Sequence, residues 1–512
     1  MLKLLNRKHY FFFVLILVQL IIYNYPYHIQ REPRTVHAWR QFDCLSFAQS
    51  FYNERASLFE PAINNLGQKG TGKTASEFPI VPYLVAKIWK ITGMNSSVYK
   101  LVNLLFTITG LFFVYLLFLR GTKNKIASAL ITALIFSSPI LSYYGISTIS
   151  DIQAFSLSLI GFYFMYKYVQ ELSNSSFWLC IILFSIAALI KASAALVFIV
   201  AIIYFRPYNK SKLKLISIFI PPIIWASWYM YVNYYNEINN GGFFLIGLLP
   251  IWKLNHEQLK NISTHFFNDN LPQVISPIIL IMIFISGVFV IIKNKNNTPS
   301  RNTLTLCLLL FVAFIILFFG ALNVHDYYFI NPFSLLIIAS FYIITYYWEI
   351  IEAKYYPKFI LTVSILSLVF SYTSGIKTWK KINCNVNNFE NKLVFNKHEQ
   401  KNYFWIYWLD REMYKVLEDK NFNIESAGVQ KSDTVFCLGD NTINRALYMI
   451  NRVGYSSFNV KPENTPNFIQ EHQNIKYIVL IDSHLPKKHP YLSTLLLNEV
   501  YKKQSLSVYK VN

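Results

Sequence analysis

Hydrophobic positions in this chain neither alternate nor mark one face of a helix; they run in blocks. The blocks fall at 10–27, 98–119, 126–145, 151–169, 177–190, 193–206, 213–235, 272–292, 303–321, 327–347 and 358–375. Most approach the roughly 17–25 residues that carry a helix across the hydrocarbon core of a bilayer. In hydrocarbon each backbone amide must find its partner within the element, which a helix does unaided. The pattern therefore predicts about eleven transmembrane helices, counting 177–190 and 193–206 as a hairpin of two short helices around Lys191-Ala192-Ser193. The first block follows MLKLLNRKHY and leads into Tyr23-Asn24-Tyr25-Pro26, with no small-residue cleavage site. It reads as an uncleaved first span rather than a signal peptide.

After residue 375 the chain turns polar and rich in Asn and Lys. Strand-like runs at Val435–Leu438, Tyr477–Ile481 and Leu506–Val511, with helix-like runs near 399–419 and 441–452, predict a small α/β domain over 376–512. The expected fold class is thus an all-α polytopic membrane domain over 1–375, with long loops at 28–97 and 236–271, followed by that α/β domain.

Composition agrees with this division. The 512 residues are 54% hydrophobic and 14% charged, against roughly 25% charged in ordinary soluble domains. A net charge of +21 would suggest nucleic acid in a soluble protein. Here the cations cluster in short loops, such as Arg120, Lys123 and Lys125 or Arg206, Lys210, Lys212 and Lys214, where they set topology and meet anionic lipid. No nucleic-acid partner is expected. The same rule puts the N-terminus in the cytoplasm and the C-terminal domain outside it, in a bacterial inner membrane. Cys44, Cys180, Cys307, Cys384 and Cys437 are scattered, with neither zinc-ligand nor disulfide spacing.

Gly67-Gln-Lys-Gly-Thr-Gly72-Lys73-Thr74 matches the phosphate-loop pattern, which requires a buried strand before it and a helix after it. Asn64-Asn65 precede it and Pro79 and Pro82 follow, so a Gly-rich turn is the expected structure. Downstream of the first span, Phe42, Leu45, Phe47, Ala48, Phe51 and Tyr52 recur at helical spacing, predicting a helix along the membrane surface. This helix carries Asp43, and a second carboxylate, Glu77, stands at the foot of the next apolar stretch. Acidic groups at a membrane boundary are solvated, paired or functional.

An aspartate shortly after helix one, followed by Glu77-Phe78-Pro79 before the next apolar segment, resembles the GT-C superfamily of glycosyltransferases. The likeness is to bacterial relatives of the protein O-mannosyltransferases and the lipid A aminoarabinose transferases. Ser137-Ser138-Pro139 leading through Tyr143-Tyr144 to Asp151, and His325-Asp326-Tyr327-Tyr328 followed by Pro332, resemble two further connections of that family. The resemblance implies transfer of a sugar from a polyprenyl-phosphate donor to a glycan, lipid or protein acceptor at the outer face, by an inverting reaction. It implies Asp43 as general base and Glu77 as a second, orienting carboxylate. Arg40, Lys191 and His325 are candidates for the phosphate, with His37, Asp151, Tyr327 and Tyr328 completing the donor site. Relatives that carry a lysine directly after the glutamate can use it on the phosphate; here that position is Phe78.

Each candidate has a plainer reading. Arg40 and Lys191 would snorkel to headgroups, Asp151 would sit favourably at a helix N-terminus with Ser150 as cap, His325 would be a boundary histidine, and the tyrosines would belong to an interfacial belt. His37, Asp43 and Glu77 lack the spacing of a metal site, and neither metal nor cofactor is expected. Asp440 or Asn441 is expected to cap a helix. A transporter or flippase of lipid-linked sugars is the alternative function, but such proteins place their sites near the membrane midplane and often carry repeats. No repeat is visible here.

Overall fold

The computed structural model describes residues 9–34, 36–209, 211–244, 247–294, 297–323, 325–383, 413–419 and 422–511. The helices that build the membrane part are α1 (Tyr10–Ile22), α2 (Ala38–Tyr52), α3 (Ile80–Thr92), α4 (Ser96–Thr122), α5 (Lys125–Phe136), α6 (Asp151–Glu171), α7 (Asn174–Ile190), α8 (Ala195–Phe205), α9 (Ile220–Asn239), α10 (Pro277–Lys293), α11 (Thr298–Phe318), α12 (Ile330–Ile350) and α13 (Tyr356–Asn383). Several starts are fixed by local chemistry. Asn95, Asn124, Ser173 and Asn297 each accept a hydrogen bond from a backbone N–H of the first turn, satisfying a donor the helix itself leaves open.

Among the described residues, four helical stretches are long and apolar enough to cross a bilayer: Ser96–Thr122, Lys212–Asn239, Thr298–Leu322 and Asp326–Ile382. A fifth is obtained if His256–Val274 and Pro277–Lys293, bent by 79°, count as one span. Helix α1 has 13 residues and rises only about 20 Å at 1.5 Å per residue, short of the roughly 30 Å core. The count of eleven is therefore not established by length. Two predicted spans are interrupted at proline. Ser138 and Ser276 adopt extended backbone before Pro139 and Pro277, because a proline ring disfavours the helical region for its predecessor. The expected span 126–145 thus becomes α5 and the short helix Pro139–Tyr144. Lys191, also extended, separates α7 from a 3-10 turn and α8.

Helix α6 packs between α4, α7 and α8, and α13 lies against α5. At the α4–α6 crossing a Cβ on Gly110 would fall 2.7 Å from the Ser156 hydroxyl, so glycine lets the two backbones approach, as small residues do at helix contacts in membranes. Apolar side chains such as Ile281, Met282, Leu309, Leu361 and Leu368 face outward and exposed, as expected of surfaces that meet lipid.

Beyond the helices lies a five-stranded sheet of order β2-β1-β3-β5-β4, with β1 Thr434–Leu438, β2 Gly454–Ser456, β3 Ile475–Leu480, β4 Glu499–Lys503 and β5 Leu506–Lys510. The first three strands are parallel and β5 joins β3 antiparallel, with Val435 opposite Gly454, Phe436 opposite Ile478, and Val479 opposite Val508. The three expected strands are present, and β2 and β4 are additional. The expected helix near 441–452 is the shorter α14 (Arg445–Met449), while the one near 399–419 lies largely outside the described residues.

The predicted surface helix is not at a surface. All of α2 except Trp39 and Tyr52 is buried, because the C-terminal domain closes over it. Gln49 donates to the Tyr448 carbonyl at 3.2 Å, Arg34 donates to Glu418 at 2.9 Å, and Asn64–Leu66 pair with Gly454 at the free edge of β2. The loop resembling a phosphate loop is a turn with Gly67, Gly70 and Gly72 at positive φ, tied back by Ile63 N–H to the Gly72 carbonyl. At Gly72 (φ +67) a Cβ would lie 2.6 Å from the Ile63 carbonyl oxygen. Gly72→Ala is expected to destabilise the protein by roughly 1–3 kcal/mol, and Gly72→Val by more; thermal melting of the detergent-solubilised protein checks this.

Candidate active site between the membrane helices and the C-terminal domain

A cavity of about 270 Å³ opens where α2, the Ser76-Glu77 segment, the α7–α8 break and the Asp326–Phe329 turn converge. Trp39, Arg40, Glu77, Lys191, Tyr327 and Tyr328 supply its polar end, and Trp225, Trp228, Phe314 and Phe318 its aromatic end. Glu77 is the hub. Arg40 Nη2 donates to both of its carboxylate oxygens at 3.0 and 2.9 Å, Lys191 Nζ donates to Oε1 at 2.8 Å, and the Ser76 hydroxyl donates to Oε2 at 2.7 Å. The break after Ile190 allows this: extended Lys191 turns its side chain to Glu77 and also stands 3.4 Å from the buried Asp151 carboxylate. Lys191 lies 5.9 and 5.6 Å from the ring centres of Tyr327 and Tyr328, within cation–π range.

The two carboxylates differ in kind. Burial opposes ionisation of Glu77, but Arg40 and Lys191 outweigh it and hold the group well below its ordinary 4.5. Asp43 is fully buried and does not line the cavity. It accepts one hydrogen bond, from Asn444 Nδ2 at 2.8 Å, and its second oxygen has no partner. Burial raises its pKa from 3.8 to about 7, against the opposing pull of Arg40 and the Asn444 hydrogen bond. Such a carboxyl exchanges its proton near neutrality, whereas Glu77 stays charged.

Asn444 is a site residue that sequence reading missed. It precedes α14, and its Oδ1 receives the Ser46 hydroxyl and the Asn65 N–H, both at 3.1 Å. The neighbouring Asp440 caps the turn, accepting from Thr442 N–H and Ala446 N–H at 2.8 Å each. Ile443 of the same loop lines the cavity. Only its place four residues after a capping aspartate could have hinted at this.

The remaining candidates divide. His37, with left-handed backbone (φ +53), stands 2.7 Å from the Tyr144 hydroxyl, which donates to Asp326 at 2.5 Å. His325 stacks on Tyr328 with ring centres 5.0 Å apart and does not line the cavity. Burial and the neighbouring His37 lower its pKa to about 4, so it is neutral where a phosphate would need a cation. Phe78 packs edge-on against Trp228 at 4.9 Å, and the cation beside Glu77 comes instead from Lys191. Arg40, buried, and Lys191, partly buried, are held in ion pairs and do not snorkel; Tyr327 and Tyr328 are cavity walls. The Ser150 hydroxyl caps nothing and has no partner. No group of three or more His, Cys, Asp or Glu able to hold a metal occurs among the described residues.

Known proteins resemble this membrane bundle with its small α/β domain. The sequence profile of the family described as dolichyl-phosphate-mannose-protein mannosyltransferase matches residues 76–228, a stretch holding Glu77, Asp151 and Lys191. ArnT from Cupriavidus metallidurans, in a crystal structure bound to undecaprenyl phosphate, aligns over 97% of both chains with a TM-score of 0.58 at 11% identity. Its apo structure aligns over the same shares with a TM-score of 0.57, also at 11% identity. No curated protein matches the chain by sequence. The chain thus resembles the GT-C glycosyltransferases of the protein mannosyltransferase and ArnT type.

The contrast between the carboxylates has opposite consequences for stability. Asp43 is stabilising as the neutral acid: that contribution is complete below 3.8 and is lost as pH rises through about 7, a range corresponding to about 4 kcal/mol. Glu77 contributes above its ordinary 4.5 and loses that contribution only in acid. Asp43→Asn should therefore melt above wild type at pH 8, and the difference should shrink steadily as pH falls and vanish only near pH 3.8. Glu77→Gln, which leaves the buried Arg40 without its carboxylate while Lys191 keeps Asp151, should lower stability by about 3–5 kcal/mol at either pH. Melting curves of the two variants across pH 4–8 check both.

Proposed function

We propose that this protein is a membrane glycosyltransferase that moves a sugar from a polyprenyl-phosphate donor to an acceptor on the non-cytoplasmic face. The observation that carries the proposal is the divergence of Asp43 and Glu77, one carboxyl poised near neutrality and the other permanently charged between two cations. The ArnT fold, with undecaprenyl phosphate bound in that relative, and the mannosyltransferase profile support the donor class.

In the reaction we infer, Asp43 removes the proton from an acceptor hydroxyl, whose oxygen attacks the anomeric carbon of the donor sugar. The bond from that carbon to the phosphate oxygen breaks, and the electron pair leaves with polyprenyl phosphate. One direct displacement inverts the configuration. Arg40 and Lys191 provide N–H donors for the phosphate as its charge grows, and Glu77 with Asp151 holds them aimed at the cavity. Tyr327 and Tyr328 flank the sugar, and His37, anchored through Tyr144 to Asp326, sets the start of the helix that carries Arg40 and Asp43. The aromatic end of the cavity receives the first isoprene units. Because Asn444 covers Asp43, acceptor entry requires the Ile443-Asn444 turn to withdraw, and the C-terminal domain takes part in acceptor selection.

Transfer should rise with pH through about 7, as Asp43 becomes a base. Asp43→Asn should lower turnover at least about 100-fold while leaving undecaprenyl phosphate binding near wild type. Lys191→Gln should weaken that binding about tenfold or more. Binding is read with the purified protein. Turnover is read as envelope glycan restored to a deletion strain, by mass spectrometry. Near-normal glycan with Asp43→Asn would remove the general base and with it this mechanism.

A further inference from the structure

A second and larger cavity, about 500 Å³, lies inside the membrane part and shares no lining residue with the charged one. It is a groove between α5, α10, α12 and α13, and it opens sideways: Met282 and Val369 on its walls are 60% and 48% exposed. Several hydroxyls line it, and those near its Pro139 and Lys377 end are committed to backbone. Ser138 donates to the Val274 carbonyl at 2.6 Å, Ser374 to the Ser137 carbonyl at 2.5 Å, and Thr373 to the Phe370 carbonyl at 3.1 Å. Most of the wall is Ile, Leu, Val and Phe, and a void of this size that opens on hydrocarbon loses contact energy unless something apolar fills it.

The groove is asymmetric along its length. Among the described residues, Lys377 is the charged side chain on its wall. One helical turn further on α13, Lys381 donates to Gln273 at 3.1 Å and stands 4.0 Å from Asp326, the residue before Tyr327 of the charged cavity. The cation thus stands at the end of the groove nearest Asp326 and the charged cavity. An apolar channel open to the bilayer with a lysine at one end fits an amphiphile with an anionic head.

We propose that this groove is a binding site for an anionic glycerophospholipid of the surrounding bilayer, one acyl chain lying between α10 and α13 and the phosphate at Lys377. The lipid braces the Pro277 break, where α10 departs by 79° from the preceding helix, and is neither donor nor acceptor in the transfer. The site stands whether or not the proposed transfer is correct.

The test uses the full-length protein, stripped of lipid in detergent and titrated with dioleoyl-phosphatidylglycerol or dioleoyl-phosphatidylcholine under native mass spectrometry. Wild type is expected to retain one phosphatidylglycerol, with phosphatidylcholine bound at least about fivefold more weakly. Lys377→Gln should weaken phosphatidylglycerol about tenfold and level the two lipids. Ser286→Phe and Ser340→Phe, which fill the groove from α10 and α12, should abolish the retained equivalent. Ile285→Phe on the outer face of α10 should not. Unchanged retention in the filled variants, or an undiminished preference for phosphatidylglycerol in Lys377→Gln, overturns the proposal. Recovery of the retained lipid in glycosylated form also overturns it, since the groove would then be an acceptor channel. Should one filled variant fail to fold, the other and Lys377→Gln still decide.

Discussion

The structure turns on the pairing of Glu77 with Arg40 and Lys191. A charge in a water-poor interior is tolerated only when partners stand at hydrogen-bond distance and the remaining donors and acceptors are met. Three separate stretches of sequence must therefore arrive together: the buried helix α2, the turn before α3, and the break between α7 and α8. Once they do, Lys191 is drawn away from the headgroups it would otherwise seek, and Asp151 gains a cation within reach. The cavity is a by-product of satisfying these charges, and its donors are already aimed inward when a ligand arrives.

The same physics separates the two carboxylates. Glu77 faces two cations and stays ionised. Asp43, one turn along α2 from Arg40, receives a single hydrogen bond and keeps an oxygen without a partner. Burial dominates there and raises its proton affinity. Two groups of one chemical type thereby acquire different working states, the usual way a protein assigns acid–base roles. The C-terminal domain contributes directly: the loop following β1, at the carboxyl end of the parallel strands where open α/β sheets tend to place ligands, delivers Asn444 to Asp43. Asn64–Leu66 complete the junction by pairing with the edge of β2, which covers an otherwise exposed strand.

Breaks in the helices matter as much as the helices. Pro139 and Pro277 end one segment and start another, and Lys191 does the same through an extended backbone. In hydrocarbon such breaks are tolerated only where the protein or a cavity supplies partners for the freed groups, and here they border the two cavities. The Ser138 hydroxyl on the Val274 carbonyl is one such repair, joining two proline breaks far apart in sequence.

Sequence alone determined what depends on local composition. The apolar blocks, the polar C-terminal domain, three of its five strands, and the helix carrying Asp43 all follow from patterns read over a few residues, because solvent preference and backbone propensity are local. The same patterns nominated Arg40, Glu77 and Lys191 as chemically unusual residues. They placed the Asp43 helix on the membrane surface, however, since its apolar positions looked like one face of an interfacial helix. Nothing nearby in sequence reveals that a domain some 400 residues later covers it. Tertiary structure alone decided that Lys191 takes the place left by Phe78, that His325 is held neutral beside His37, that Asn444 meets Asp43, and that two proline breaks frame a lipid-sized groove. Each depends on distances between remote segments, which packing sets and local propensity does not encode.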